Sequence, residues 1–279
     1  MAPGLPGRAK REARKANPEG RMSLVDHLLE FRQRLVKSAL ALAVCSVIGW
    51  FLYDFVYGHL TAPLEKVASG RGVDADKVAL NFAGLTAAFS NRINLSICVG
   101  LILASPIILY QAWAYLVPAL TQKEKKVSMA FVGVTVPLFL IGCAFGFWVL
   151  PRAVEILLEF TPINAYNLPE AALYFRFVTR LILVFGVTWM MPVALVGMIF
   201  AGLIPGNSLF KQWRPAVVVI FIISAVVTPT PDPVTMFFMA APLVVLYFIA
   251  AGIGLWIGRR RAKAEPDWTK VRDDQASAL

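Results

Sequence analysis

Six long stretches of this chain contain no Asp, Glu, Lys or Arg at all: Ser38 to Tyr53, Ile93 to Gln122, Val127 to Pro151, Leu181 to Phe210, Pro215 to Pro231 and Pro233 to Gly258. A soluble domain cannot leave so much sequence without charge, and the 58% hydrophobic content exceeds the roughly 45–50% of soluble proteins. The chain is therefore a multispanning membrane protein. Other absences narrow its chemistry. Cys45, Cys98 and Cys143 sit inside apolar runs without a CxxC spacing, and His27 and His59 stand apart from them. This argues against a structural metal or a disulfide framework. No HExxH, GxSxG or GxxxxGK[ST] pattern occurs, so neither an enzyme nor a bound cofactor is expected. No ionisable residue lies near the middle of a run, where a proton-coupled solute transporter usually carries one. The first 37 residues lack an apolar core and a small-residue cleavage site, so they read as a retained tail rather than a signal peptide.

What is present is a set of apolar segments with a lopsided distribution of positive charge. A spanning helix needs about 17–25 residues. The predicted spans are about 38–57, 93–116, 127–150, 174–199, 215–229 and 234–257. The fifth is short, at about 1.5 Å per residue, for a hydrocarbon core of roughly 30 Å. Residues 1 to 37 carry nine Lys and Arg, and the segment from Arg259 carries six. Basic flanks favour the cytoplasm, so both termini are expected inside and the number of crossings even. The "TQKEKK" loop (121–126) and "GNSLFKQWR" (206–214) then also lie inside, bringing 20 of the 27 basic residues to that side. The expected organisation is a basic tail (1–21), a six-span all-α membrane domain (22–257) and a second basic tail (258–279). The tails' charges suit anionic lipid headgroups.

Depth within the bilayer thus offers hydroxyls and amides but no charge, and the informative polar residues collect at an edge. In "VDHLLEFRQRL" (25–35), Ser23 and Asp26 form a capping pattern. Leu24, Leu28, Phe31 and Leu35 follow at helical spacing. The pattern predicts an amphipathic helix leading into span one, with His27, Glu30 and Arg34 on another face. The plain structural role for Glu30 is an i,i+4 pair with Arg34, contributing about 0.3–0.5 kcal/mol. Glu124, amid "KEKK", reads equally well as a solvated loop charge.

Four blocks then carry a resemblance: "DHLLEFRQRL" (26–35), "APL" (62–64), "LASPIILYQAWAYLVPALTQKEKK" (103–126) and "TPTPDPVTM" (228–236). In this order and spacing the chain resembles TatC, the multispanning subunit of the twin-arginine protein translocase, from about residue 22 to 257. The resemblance implies a cupped bundle of six helices with short fifth and sixth spans and both termini cytoplasmic, in the cell inner membrane. It implies a receptor for twin-arginine signal peptides of folded cargo, driven by the proton motive force without nucleotide hydrolysis. The partners it implies are TatA-like and TatB-like single-span proteins, the lipid bilayer and further copies of the chain in a receptor complex, with no nucleic acid. The family's recognition glutamates fall on Glu30 and Glu124. His27 and Arg32 match its N-terminal motif, and Phe31 and Tyr115 are candidates for the apolar walls. Two separated carboxylates can each take an arginine fork, which a lysine cannot imitate. Pro63 and Asp232 match outer-cap positions, where proline fixes a turn and aspartate caps span six.

The match has gaps. Many members carry a glutamate in span four where Met190 stands, a Gln where Met236 stands, and Glu-Pro-Phe where this chain reads "AAF" (87–89). These replacements remove polar groups associated with partner contact. Two other functional classes compete with the receptor reading: a small-solute secondary transporter, which calls for an inverted repeat and a midplane site, and a membrane scaffold in which the glutamates are dispensable.

Overall fold

The computed structural model describes residues 24–70, 80–116, 122–159, 169–200, 202–227 and 233–264, with the side chains at 24, 26, 67–70, 116, 122–130, 159, 227 and 261–264 left out of that description. Among the described residues the regular structure is entirely helical: α1 (Leu24–Phe51), α2 (Tyr53–Gly70), α3 (Ala87–Leu116), α4 (Gln122–Glu159), α5 (Ala171–Trp189), α6 (Met191–Phe200), α7 (Ser208–Lys211), α8 (Trp213–Val227) and α9 (Pro233–Ala264). An α-helix satisfies its own backbone donors and acceptors, which hydrocarbon demands. Five apolar helical stretches are long enough to cross a bilayer: His27–Phe51, Ala87–Tyr115, Phe131–Leu158, Ala171–Phe200 and Pro233–Arg260. The sixth, α8, has 15 residues and reaches only about 22 Å. The fifth span is thus short as expected, whereas the sixth, which the resemblance also made short, runs through a helix of 32 residues, α9.

Several boundaries differ from the sequence expectation. The amphipathic lead-in and span one form a single helix of 28 residues, because nothing between Ser38 and Phe51 breaks the pattern. Its Leu28, Phe31 and Leu35 are all exposed, so the apolar stripe stays largely uncovered among the described residues, with Phe31 alone of the three in a ring contact, to Tyr115. The helix breaks at Leu52, and α2 resumes at once. Pro63 does not make the expected turn; it lies inside α2 and is buried beside Leu60 and Leu64. Proline's fixed φ near −65° is already helical, so it removes one donor without forcing the chain to reverse. Asp232 lies outside the described residues.

The chain divides into two compact units. The first comprises residues 1–58 and 84–136. In it α1 and α3 approach closely through small residues. A Cβ on Gly49 would stand 2.5 Å from the carbonyl oxygen of Ser96, and one on Gly100 would stand 2.6 Å from the Cα of Ser46. In lipid there is little hydrophobic drive between helices, so close backbone approach through Gly and Ser supplies the packing. At the opposite end of α1 from Glu30, the Arg92 guanidinium stacks 4.7 Å from the Trp50 ring and 4.8 Å from the Tyr53 ring.

The second unit comprises residues 59–83 and 137–279. Asn81 pairs with Glu170 as an isolated parallel bridge: the Asn81 amide donates to Pro169 O (3.0 Å), and the Ala171 amide donates to Asn81 O (2.8 Å). The buried Tyr174 hydroxyl donates to Leu60 O at 2.6 Å, tying α5 to α2. The α5–α6 helix is interrupted at Met190, two residues before Pro192. There the Met190 amide bonds back three residues to Val187 O at 3.1 Å, and the proline lacks the donor that would have continued the ladder. After α6, Gly202 takes φ +75°. The Gly202 amide bonds to Ile199 O and that of Leu203 to Met198 O, the paired bonds of a Schellman cap that favours glycine. Tyr247 of α9 then donates to Leu209 O at 2.6 Å, fixing α7.

Candidate functional site

The antiparallel run of α1 and α3 sets the N-terminal turns of one beside the C-terminal turns of the other. Positions four apart on a helix share a face, so Gln111 and Tyr115 of α3 present one face toward His27, Glu30, Phe31 and Arg34 of α1. The rings meet first. His27 stacks on Tyr115 with centroids 4.5 Å apart and planes inclined by 21°. Phe31 leans on the same tyrosine at 5.3 Å and 56°.

Beside this aromatic shelf lies an ion pair. The Arg34 side chain donates from Nε to Glu30 Oε1 at 2.9 Å and from Nη2 to the same oxygen. Its remaining nitrogen, Nη1, donates to Gln111 Oε1 of α3 at 3.4 Å. Both charged side chains are largely enclosed, with 24% and 21% of their surface exposed. The i,i+4 pair expected from the spacing is therefore present, yet it differs from a solvated surface pair in being anchored to a second helix. It is also lopsided. Glu30 Oε2 is buried and, among the described residues, accepts no hydrogen bond. A buried acceptor without a donor costs about 1–3 kcal/mol, a cost that an N–H reaching this oxygen would relieve.

Of the residues singled out in the sequence, His27, Glu30, Phe31 and Tyr115 come together. Arg32 does not join them: it is exposed, and the arginine on Glu30 is Arg34. Glu124 lies in the first turn of α4, with its side chain outside the described residues. Pro63 belongs to α2 in the other unit. The residue that sequence reasoning missed is Gln111. Its signal was available in the "YQAWAY" block, four residues before Tyr115, but an amide amid apolar residues reads as one more helix-bonded polar group until its partner is known. Among the described residues no group of three or more His, Cys, Asp or Glu side chains is arranged to hold a metal.

This arrangement sits in a chain with close relatives. Residues 26–242 match the family described as Sec-independent protein translocase protein (TatC). A TatC protein of Xylanimonas cellulosilytica is 42% identical over 240 residues, covering 86% of each chain. Another, from Rothia mucilaginosa, is 38% identical over 249 residues, covering 89% of this chain and 84% of that one. Among solved structures, the crystal structure of a twin-arginine translocase receptor, TatC, superposes with a TM-score of 0.67 at 33% identity, covering 82% of this chain and 98% of that one. The extent of these matches, over the same helices that hold the Glu30 cluster, shows that this multi-pass membrane protein belongs to the TatC family of protein translocase subunits.

Proposed function

We propose that this chain is the signal-peptide receptor of its translocase, binding the paired arginines of folded cargo at the membrane edge formed by α1, α3 and the start of α4. The observation that carries the reading is Glu30: a carboxylate held by one oxygen, with the other enclosed and unsatisfied, next to a stacked aromatic shelf. A guanidinium supplies planar, charge-assisted donors to such an oxygen and an apolar face to Tyr115, and it holds both more readily than an ammonium does. Such bonds contribute about 1.5–3 kcal/mol where water is excluded, against about 0–1 kcal/mol for an exposed pair. Glu124 supplies the second carboxylate, for the second arginine.

In this reading His27 and Phe31 hold Tyr115 in place, and Arg32 anchors α1 at the charged interface. Both termini lie in the cytoplasm, as the basic flanks favour, and the protein resides in the inner membrane. TatA-like and TatB-like single-span partners, with further copies of the chain, complete the complex, which draws on the proton motive force. Membership of a protein translocase family displaces the small-solute transporter alternative.

The deciding experiment is binding of a labelled signal peptide, in RR and KK forms, to the protein in lipid nanodiscs. RR preference should fall with Glu30→Ala and with Glu124→Ala, and vanish in the double variant. A preference that survives the double variant places recognition elsewhere and overturns the reading.

A further inference from the structure

Arg34 is bound in a way that an ordinary helix pair does not require. Its guanidinium spends two donors, Nε and Nη2, on a single oxygen of Glu30 and ties a third nitrogen to Gln111 on another helix. A free-standing glutamate and arginine four apart on a helix swing through many rotamers, and their pairing is correspondingly weak. Here the Glu30 carboxylate is fixed by a fork that is itself fixed, and the fork leaves Oε2 enclosed with no donor among the described residues.

Resting on the receptor reading above, we propose that Arg34 and Gln111 are positioning residues for signal-peptide recognition: they hold Glu30 so that Oε2 is the one oxygen left for the incoming arginine to supply with a donor, and the carboxylate then bridges two guanidinium groups. The geometry specifies how the peptide is read. Arg34 shows that two N–H groups of one guanidinium converge on one Glu30 oxygen, and the peptide arginine repeats this on the other oxygen. A lysine ammonium cannot match that planar pair of donors. Gln111 keeps Arg34 from rotating across to cover both oxygens. It also couples the carboxylate to α3, the helix that carries the Tyr115 shelf, so charge and stacking surface keep one register.

The test separates this proposal from the reading on which it rests. RR and KK peptide affinities are measured in nanodiscs for wild type, Glu30→Gln, Arg34→Lys, Gln111→Leu and the Glu30→Gln/Arg34→Lys double variant. Thermal unfolding followed by circular dichroism confirms that each is folded. Arg34→Lys keeps the charge and loses the fork, so the RR-to-KK affinity ratio should fall about tenfold. Gln111→Leu, which touches neither charge, should lower the ratio about threefold and keeps the proposal open to test if the arginine variant misfolds. In the Glu30→Gln background the further Arg34→Lys change should alter nothing, because the two act through one atom. If Arg34→Lys and Gln111→Leu leave the ratio intact while Glu30→Gln abolishes it, Arg34 is a helix pair only and the receptor reading stands without it. Tighter RR binding in Arg34→Lys makes Arg34 a competitor for Glu30 and also overturns the proposal. If Glu30→Gln leaves the ratio unchanged, the receptor reading and this inference fall together.

Discussion

His27 and Tyr115 come from helices far apart in the chain, yet their rings lie nearly parallel with centroids 4.5 Å apart. Phe31 closes on the same tyrosine. Aromatic pairs of this kind contribute about 0.5–1.5 kcal/mol beyond their buried area. Two of them at the meeting of α1 and α3 therefore set how firmly the Glu30 turn is held.

Tyr115→Ala should free the first turns of α1 and weaken RR-peptide binding about tenfold, whereas Tyr115→Phe keeps the ring and should stay near wild type. Hydrogen exchange over residues 24–34, measured alongside peptide affinity, checks both halves. Faster exchange without loss of binding detaches the shelf from recognition.

The helix pair beneath that site depends on missing side chains. A Cβ at Gly100 meets Ser46 backbone atoms at 2.6 Å, while one at Gly252 meets nothing within 4 Å. Gly100→Leu should separate α1 from α3 and lower the unfolding temperature in detergent by several degrees, as an overpacked contact costing about 1–3 kcal/mol does. Gly252→Ala, in the open, should be neutral or stabilising by up to about 1 kcal/mol, the helix preference for alanine. Equal behaviour of the two variants would contradict the close approach.

These pairs show what the sequence discloses and what it withholds. The apolar runs, the shortness of α8 and the Glu30–Arg34 pair follow from spacing along one segment, which is the information a linear sequence carries directly. Tyr115 against His27 and Gln111 against Arg34 depend on how α1 and α3 pass each other, and that is fixed by Ser46, Gly49, Ser96 and Gly100, small residues with no periodic signature of their own. Pro63 misled for a related reason. Proline marks turns by default, and only the fold, in which α2 runs from Tyr53 to Gly70, shows that the helix continues through it.

Two tyrosine hydroxyls bind segments that sequence pattern leaves unconnected. Tyr174 donates to Leu60 O and Tyr247 to Leu209 O, each at 2.6 Å and buried. Removal of either hydroxyl deletes one buried hydrogen bond, at a cost of about 0.5–1.5 kcal/mol. Tyr174→Phe should therefore loosen α2, and Tyr247→Phe the turn around α7, with distinct patterns in hydrogen exchange. RR-peptide affinity should not change, since neither residue belongs to the unit that holds Glu30.

The orientation proposed from charge can be read with a membrane-impermeant maleimide. Asn81 is exposed and makes its bridge to the start of α5 through backbone atoms alone, so Asn81→Cys keeps the bridge and presents a thiol on the segment placed outside. The native Cys45, Cys98 and Cys143 lie within the apolar stretches of α1, α3 and α4 and should stay silent. Asn81→Cys should label in intact cells, and Ser277→Cys, beyond the basic segment from Arg259, only after lysis. The opposite pattern would put the Glu30 cluster on the outer face, where cargo still in the cytoplasm cannot reach it, and the receptor reading would fail with the topology.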